Sequence, residues 1–231
     1  GYGAVGLDKK VVELNRSKKE MVAAGSCIEV LEAIEADGGR FPLLYFVFSR
    51  SQAEEFAEEA ARCRDFLLPD EKREVNRQLQ AALEQHPSLF TSPGRERLAH
   101  MLYQGIAYHH AGLSPQLKLL VERLYCLGLI RVVFCTETFA AGVNFPAAST
   151  VFHSLVKWDG VNHRNLLAQE FFQMAGRAGR RGYDNEGYVY IRLNRGGQGA
   201  EVYEEKDLEP IASALTITPA TVLNLIRWKS D

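Results

Sequence analysis

The chain has 231 residues, enough at roughly 100–200 residues per domain for one large domain or one domain with an appendage. Hydrophobic residues make up 46% and charged residues 24%, the balance of an ordinary folded domain, which excludes a disordered or collagen-like chain. Lys plus Arg (27) against Asp plus Glu (29) gives a net charge of -2, so a globally basic nucleic-acid binder is excluded while a local basic site is not.

No basic-then-apolar leader opens the chain, and its longest apolar run, Phe41–Phe48, falls far short of the ~20 residues that span a bilayer. No membrane partner is expected. Gly1-Tyr2-Gly3-Ala4-Val5-Gly6 has the letters of a dinucleotide fingerprint, but no strand precedes it to deliver the turn to a helix, so it carries no cofactor. Residues 1–24 are read as a linker or a cloning remnant. Cys27–Ala36 is then a predicted helix, with Ile28, Leu31 and Ile34 spaced by three and Gly38-Gly39 as its stop. Leu43–Phe48 is a continuous apolar strand of the kind buried on both faces. At Ser49 it hands over to a helix, Gln52–Cys63, whose Glu54, Glu55, Glu58 and Glu59 form a solvated face.

Pro69–His86 and Arg95–Tyr103 are two further helices in an insertion-like stretch. Asp70-Glu71-Lys72-Arg73 opens the first as favourable acids at a helix N-terminus rather than as a metal-binding acidic box, which would need a buried strand. Ile106–His109 is a short strand, and Ser114 caps a helix that has Pro115 at its first position and runs to about Leu127. Arg131–Cys135 and Thr150–Val156 are strands, and Leu166–Arg177 is a helix. Gly187–Leu193 is the closing strand. Between them, Trp158-Asp159-Gly160-Val161 carries Asp-Gly, a strong two-residue hairpin turn. Strands alternating with helices predict an α/β fold with a mostly parallel sheet covered by helices. Beyond Asn194 the composition changes to a Gly-rich stretch, an acidic segment and a helix-turn-helix-like pattern over Asp207–Leu215 and Ala220–Trp228. That last helix ends without a cap, the expectation being a cut within a larger protein.

The four cysteines form no C-x-x-C pair and are expected to be buried thiols of a reducing compartment, which makes the protein cytoplasmic, or nuclear if eukaryotic. His109 and His110 are adjacent at a strand end and point in opposite directions, poor geometry for sharing a metal; no metal site is predicted. No Gly-Lys pair occurs, so there is no P-loop to grip a triphosphate and its magnesium.

The strongest signal is Gln173-Met174-Ala175-Gly176-Arg177-Ala178-Gly179-Arg180-Arg181-Gly182. Arg177 and Arg180 stand three apart near a predicted helix end, so both project in one direction, and the glycines clear space beside them for a large polyanion or a close domain surface. Guanidinium suits phosphoryl transfer because it stays charged and binds oxygens through a planar fork. A basic helix end complementing its own dipole explains the charge but not the glycine spacing.

This run resembles motif VI of superfamily-two helicases, in the form found in the superkiller-type DExH-box RNA helicases associated with the exosome. Three further stretches agree in order. Tyr45–Arg50 resembles motif IV, Tyr108–Ser114 resembles the family's H-H-A-G-L segment, and Phe134–Ala147 is similar to motif V. Leu208–Trp228 resembles the start of the winged-helix domain that follows. The resemblance implies a second RecA-like domain over residues 25–195, then a linker and the first winged-helix helices over 196–231. It also implies that the P-loop and DExH box belong to a first RecA-like domain, the chain's partner, which would hold most of ATP and Mg²⁺. By the resemblance, Arg177 and Arg180 are arginine fingers and Gln173 orients phosphate or water. Gly142 and Asn144 line the nucleotide cleft, while Ser49, Arg50, Thr136 and Thr138 lie along an RNA backbone. Taken alone, the two threonines would more often be turn or cap residues. Trp158 is either a base-stacking residue on a strand-parting hairpin or a partly packed surface aromatic.

The function implied is half of an ATP-dependent RNA helicase acting on single-stranded or overhang-bearing RNA, alongside RNA-degradation machinery. By itself this half is expected to be inactive. A DNA helicase of the same superfamily and a non-catalytic binding module are the alternatives.

Overall fold

The computed structural model describes residues 9–13, 26–92, 94–142, 145–180, 182–184 and 187–192. The expected winged-helix start at 196–231 lies outside the described residues. In chain order the elements are β1 (Lys9–Glu13), α1 (Cys27–Ala36), β2 (Leu43–Phe46), α2 (Arg50–Cys63), α3 (Pro69–Gln85), α4 (Arg95–Tyr103), β3 (Ile106–His109), α5 (Pro115–Cys126), β4 (Val132–Cys135), α6 (Glu137–Gly142), β5 (Ser149–Phe152), β6 (Val156–Trp158), β7 (His163–Asn165), α7 (Ala168–Ala175) and β8 (Gly187–Ile191).

The six long-range strands form one sheet in the order β1-β8-β5-β2-β4-β3, and every pairing is parallel. The apolar runs explain this. A strand buried on both faces needs helices above and below, and parallel neighbours need crossover helices to connect them. β2 lies between β4 and β5, and all four of its residues are buried. Tyr45, Phe46, Tyr108, Phe134, Phe152 and Tyr190 are the largest fully buried side chains, spread over β2, β3, β4, β5 and β8. This is the α/β RecA-like architecture expected, a mostly parallel sheet with flanking helices.

Local capping fixes where the helices start. The Oγ atoms of Ser26, Ser49 and Ser114 accept from the backbone N–H groups of Glu29, Gln52 and Leu117, respectively. At the start of α3, the Glu71 carboxylate accepts from the Leu68 N–H at 2.9 Å and pairs with Arg131 at 2.5 Å, so this acid serves the helix end.

Several expectations are corrected. Lys9–Glu13, within the stretch read as a linker, is an edge strand beside β8. Helices α3 and α4, the insertion-like stretch, are part of the domain's core, because Val75, Leu79, Leu98, Met101 and Leu102 join the same apolar cluster as the strands. The strand read as Thr150–Val156 ends at Phe152. There the Ser154 hydroxyl accepts from the Val156 N–H at 2.9 Å and donates to the Val156 carbonyl at 3.1 Å, turning the chain out of the sheet into the separate β6–β7 hairpin. Among the cysteines, Cys27 and Cys135 are buried but Cys63 and Cys126 are exposed, since each of the latter ends a helix on its outer side.

Candidate functional site

In open parallel sheets the ligand crevice lies beyond the carboxyl ends of the strands. Here β2, β3, β4 and β5 end level with one another: Phe46 is in register with Cys135 and Phe152, and Cys135 with His109. The segments leaving those ends are the ones singled out from the sequence. Phe48, Ser49, Arg50, Ala111, Thr136, Glu137, Thr138, Lys157 and Trp158 line one cleft of about 180 Å³. All five residues expected along RNA are therefore brought together, from positions as far apart as 49 and 158.

Their hydrogen bonds define what each can offer. Ser49 Oγ is the N-cap acceptor of α2, at 3.1 Å from the Gln52 N–H, and it shares a hydroxyl–hydroxyl bond of 3.3 Å with Ser51. Thr136 and Thr138 share a hydroxyl–hydroxyl bond of 3.0 Å at the start of α6. Trp158 is 55% exposed and meets the His163 ring edge-on at 5.1 Å. The hairpin that carries it turns through four residues, not two. Asp159 Oδ1 accepts from the N–H groups of Val161 and Asn162, both at 2.8 Å, and Gly160 takes a φ of 104° that other residues adopt only with strain. Those same N–H groups, Asn162 first, hold the Asp159 carboxyl below its usual range.

The two histidines separate as expected. His109 Nε2 lies 3.4 Å from Glu122 and its ring meets Phe139 edge-on, and burial pulls its pKa down to about 4. His110 Nδ1 accepts from the Gly112 N–H at 3.0 Å, so its Nε2 donates to Glu54 at 2.9 Å. Glu54 also receives Arg95, and the Arg95 guanidinium reaches Tyr108 Oη at 2.6 Å. Glu54 is thus no plain solvated acid; it fixes the loop that borders Arg50. Among the described residues no group of three or more His, Cys, Asp or Glu side chains is placed to hold a metal.

A second cleft of about 240 Å³ adjoins the first and is lined by Glu137, Thr138, Lys157, Glu170, Gln173 and Met174. Gln173 sits exposed on the last turn of α7. Helix α7 stops at Ala175, so Arg177 and Arg180 are not two positions on one helix face as their spacing suggests. Their placement comes from a strand-like stitch to the end of the motif V segment: the Ala147 N–H donates to the Arg177 carbonyl at 2.9 Å, and the Gly179 N–H to the Ala147 carbonyl at 2.7 Å. Gly187 makes room for this loop, because a Cβ there would lie 2.5 Å from the Ala178 carbonyl oxygen. Arg180 is held in a fork, Nε to Asp184 Oδ2 and Nη2 to Oδ1, both at 2.8 Å. That fork lowers the Asp184 carboxyl pKa and raises that of the guanidinium. Gly142 closes α6; Asn144 and Arg181 lie outside the described residues.

Sequence reasoning missed Lys157, Glu137, Glu170 and Arg164, which join these two clefts. Lys157 Nζ lies 2.5 Å from Glu137 and 2.7 Å from Glu170, and Arg164 grips both oxygens of Glu170 at 2.8 and 2.9 Å. Nothing in a V-K-W triplet announces a buried lysine.

Residues 71–182 match the family described as the helicase conserved C-terminal domain, a span that takes in α4 and nearly all of α3. The chain is 38% identical over 194 residues to the DExH-box ATP-dependent RNA helicase DExH10 of Arabidopsis thaliana, covering 80% of this chain and 19% of that protein. It is 38% identical over 192 residues to Superkiller complex protein 2 of Homo sapiens, covering 81% and 15%. With Exosome RNA helicase MTR4 of Homo sapiens it shares 35% identity over 193 residues, covering 80% and 18%. The chain spans less than a fifth of the length of these relatives.

Proposed function

Because the chain belongs to the superkiller-type DExH-box RNA helicases, as their helicase C-terminal domain, we propose that it serves as the second RecA-like half of an ATP-dependent RNA helicase. In this reading a first RecA-like domain of the same protein holds ATP, and this half closes over it. Arg177 and Arg180 donate to the transferring phosphoryl group, and Gln173 orients phosphate or water. Gly142 and Asn144 border the nucleotide. RNA runs along Ser49, Arg50, Thr136 and Thr138, with Trp158 against a base at the fork.

The observation that carries the reading is the pair of adjoining clefts with Glu137, Thr138 and Lys157 as their common wall. One gathers short hydroxyls and a guanidinium at strand ends, groups that donate to backbone phosphates without reading bases. The other holds Gln173, and the glycine-cleared arginine loop follows directly. The residues fit the phosphoryl group of a nucleotide: the Asp184 fork engages Nε and Nη2 of Arg180 and leaves Nη1 for a phosphoryl oxygen. They do not fit Mg²⁺, since the chain has no Gly-Lys pair and the described residues include no cluster of metal-binding side chains. Closing the cleft would move RNA with the domain, and reopening after hydrolysis would reset it. Cytoplasmic or nuclear RNA degradation is the proposed setting, and the name of one relative, Exosome RNA helicase MTR4, supports a place alongside the exosome.

The test is ATP hydrolysis by the full-length protein with and without RNA, and with DNA in its place. RNA-stimulated turnover is expected there, with poor ATP binding and no turnover in this chain alone. Turnover by the isolated chain would overturn the division of labour. Equal stimulation by DNA would favour the DNA-helicase alternative, and no turnover in the full-length protein would favour a non-catalytic module.

A further inference from the structure

Lys157 is the only Lys, Arg, Asp or Glu that is buried among the described residues. A buried ammonium is tolerated only when it is paired, and removing one partner leaves an uncompensated charge. Its partners come from two elements distant in sequence: Glu137, which stands between Thr136 and Thr138, and Glu170, one turn before Gln173 on α7. We propose that Lys157 is a positioning residue that clamps the β6–β7 hairpin to the motif V segment and to helix α7, so that the hairpin and the phosphate-facing loop move as one body. This rests on the helicase reading above and adds to it the residue that couples the two activities.

The geometry makes the clamp mutual. Lys157 is in register with Arg164 across the hairpin, and two like charges directly opposed on paired strands repel. Glu170 sits between them, accepting Lys157 at 2.7 Å and Arg164 at 2.8 Å on the same oxygen. Its other oxygen accepts from Arg164 Nη1 and from the Leu167 N–H, both at 2.9 Å, which also starts α7. Pulling the hairpin away from α7 would therefore remove the carboxylate between two facing cations and leave Lys157 with Glu137 alone. Pulling it from α6 would leave Lys157 with one carboxylate in place of two. Since the ammonium also forms part of the wall shared by both clefts, a change in either is felt at the same atom.

The experiment compares Lys157→Met and Lys157→Arg in the full-length protein, reading RNA-free ATP hydrolysis, RNA-stimulated hydrolysis and strands separated per ATP consumed. Coupling energies between sites typically correspond to about 5–150-fold, so Lys157→Met is expected to lower strands separated per ATP consumed about tenfold, a ratio that a loss of hydrolysis alone would leave unmoved. Lys157→Arg should recover most of the loss, because it keeps the charge. Glu170→Gln should reproduce the Lys157→Met signature, and melting curves accompany all variants. Unwinding and hydrolysis falling in proportion, or neither falling, would overturn the clamp. So would unfolding of both Lys157→Met and Glu170→Gln, which would make the cluster purely structural. A wild-type protein with no RNA-stimulated hydrolysis would instead sink the helicase reading on which the clamp rests.

Discussion

Arg180 has its Nε and Nη2 atoms fixed by Asp184, whose Oδ2 also accepts the backbone N–H of Arg180 at 2.8 Å. A guanidinium tied at two points, on a residue whose backbone N–H is held by the same carboxylate, would lose little further freedom if a phosphoryl oxygen arrived, and such preorganisation is what makes a charged donor effective in a transition state. In the proposed arginine-finger role its contribution would belong to the reacting state rather than to substrate binding, so the loss on removal would appear in kcat. Arg180→Ala in the full-length protein is expected to lower kcat for ATP hydrolysis about 10²–10³-fold with RNA affinity nearly unchanged. Arg181→Ala is the control, since Arg181 adjoins the same turn but falls outside the G-R-x-G-R pair. Equal damage from both would mean a diffuse basic patch, and a parallel loss of RNA binding would mean phosphate-backbone contacts.

The arginine loop is an element whose shape is set by its neighbours. The loop from Arg177 to Gly179 is stitched to Ala147 on one side and passes over Gly187 on the other. Because a Cβ on Gly187 would meet backbone atoms at 2.5 and 2.6 Å, Gly187→Ala must displace β8 or the loop. Overpacking of this kind costs about 1–3 kcal/mol, and denaturant unfolding of this chain should register it. ATP hydrolysis by the full-length protein should fall as well, since the displaced backbone carries Arg177 and Arg180. A change that lowered stability without affecting hydrolysis would show that β8 yields and the loop does not. The hairpin presents the opposite case, with a tip that touches little. Val161 is 74% exposed and Trp158 is 55% exposed. Deleting the Trp158–Val161 tip should therefore impair strand separation more than ATP hydrolysis, and equal loss of both with the fold intact would count against a fork-parting role.

At the scale of the whole domain, burial sets the pH response. His109 and His153 both have pKa values pulled down to about 4 by burial, and His109 Nδ1 has no hydrogen-bond partner. An unfolded chain binds protons at these two histidines below about 6.5, while the folded chain does not until about 4, so the unfolded state holds more protons at them across that window. Stability is therefore full above the unfolded value and falls as pH drops towards 4, by at most about 1.4 kcal/mol per pH unit for each histidine. Urea midpoints of this chain between pH 8 and 5 should show the decline before most carboxylates titrate, and His109→Gln with His153→Gln should flatten it. Below that range Glu170, held at about 2 by Arg164 and then Lys157, protects its cluster until strong acid.

Local chemistry was enough to define the frame. Continuous apolar runs at β2 and β4, serine caps at Ser49 and Ser114, and the alternation of strand and helix required a parallel sheet with crossover helices. The glycine and arginine spacing at 173–182 marked the charged loop and, with three other segments, the family. These signals act over a turn of helix or a few residues of strand, which is why a linear sequence displays them. Four features needed the tertiary structure: the burial of Lys157, the Glu54–His110–Arg95 group, the edge strand β1 and the stitch that aims Arg177 and Arg180. Glu54 and His110 stand 56 residues apart, and Lys157 and Glu137 stand 20 apart. No local preference can announce such pairs, because whether a charge is buried or exposed depends on which distant element covers it.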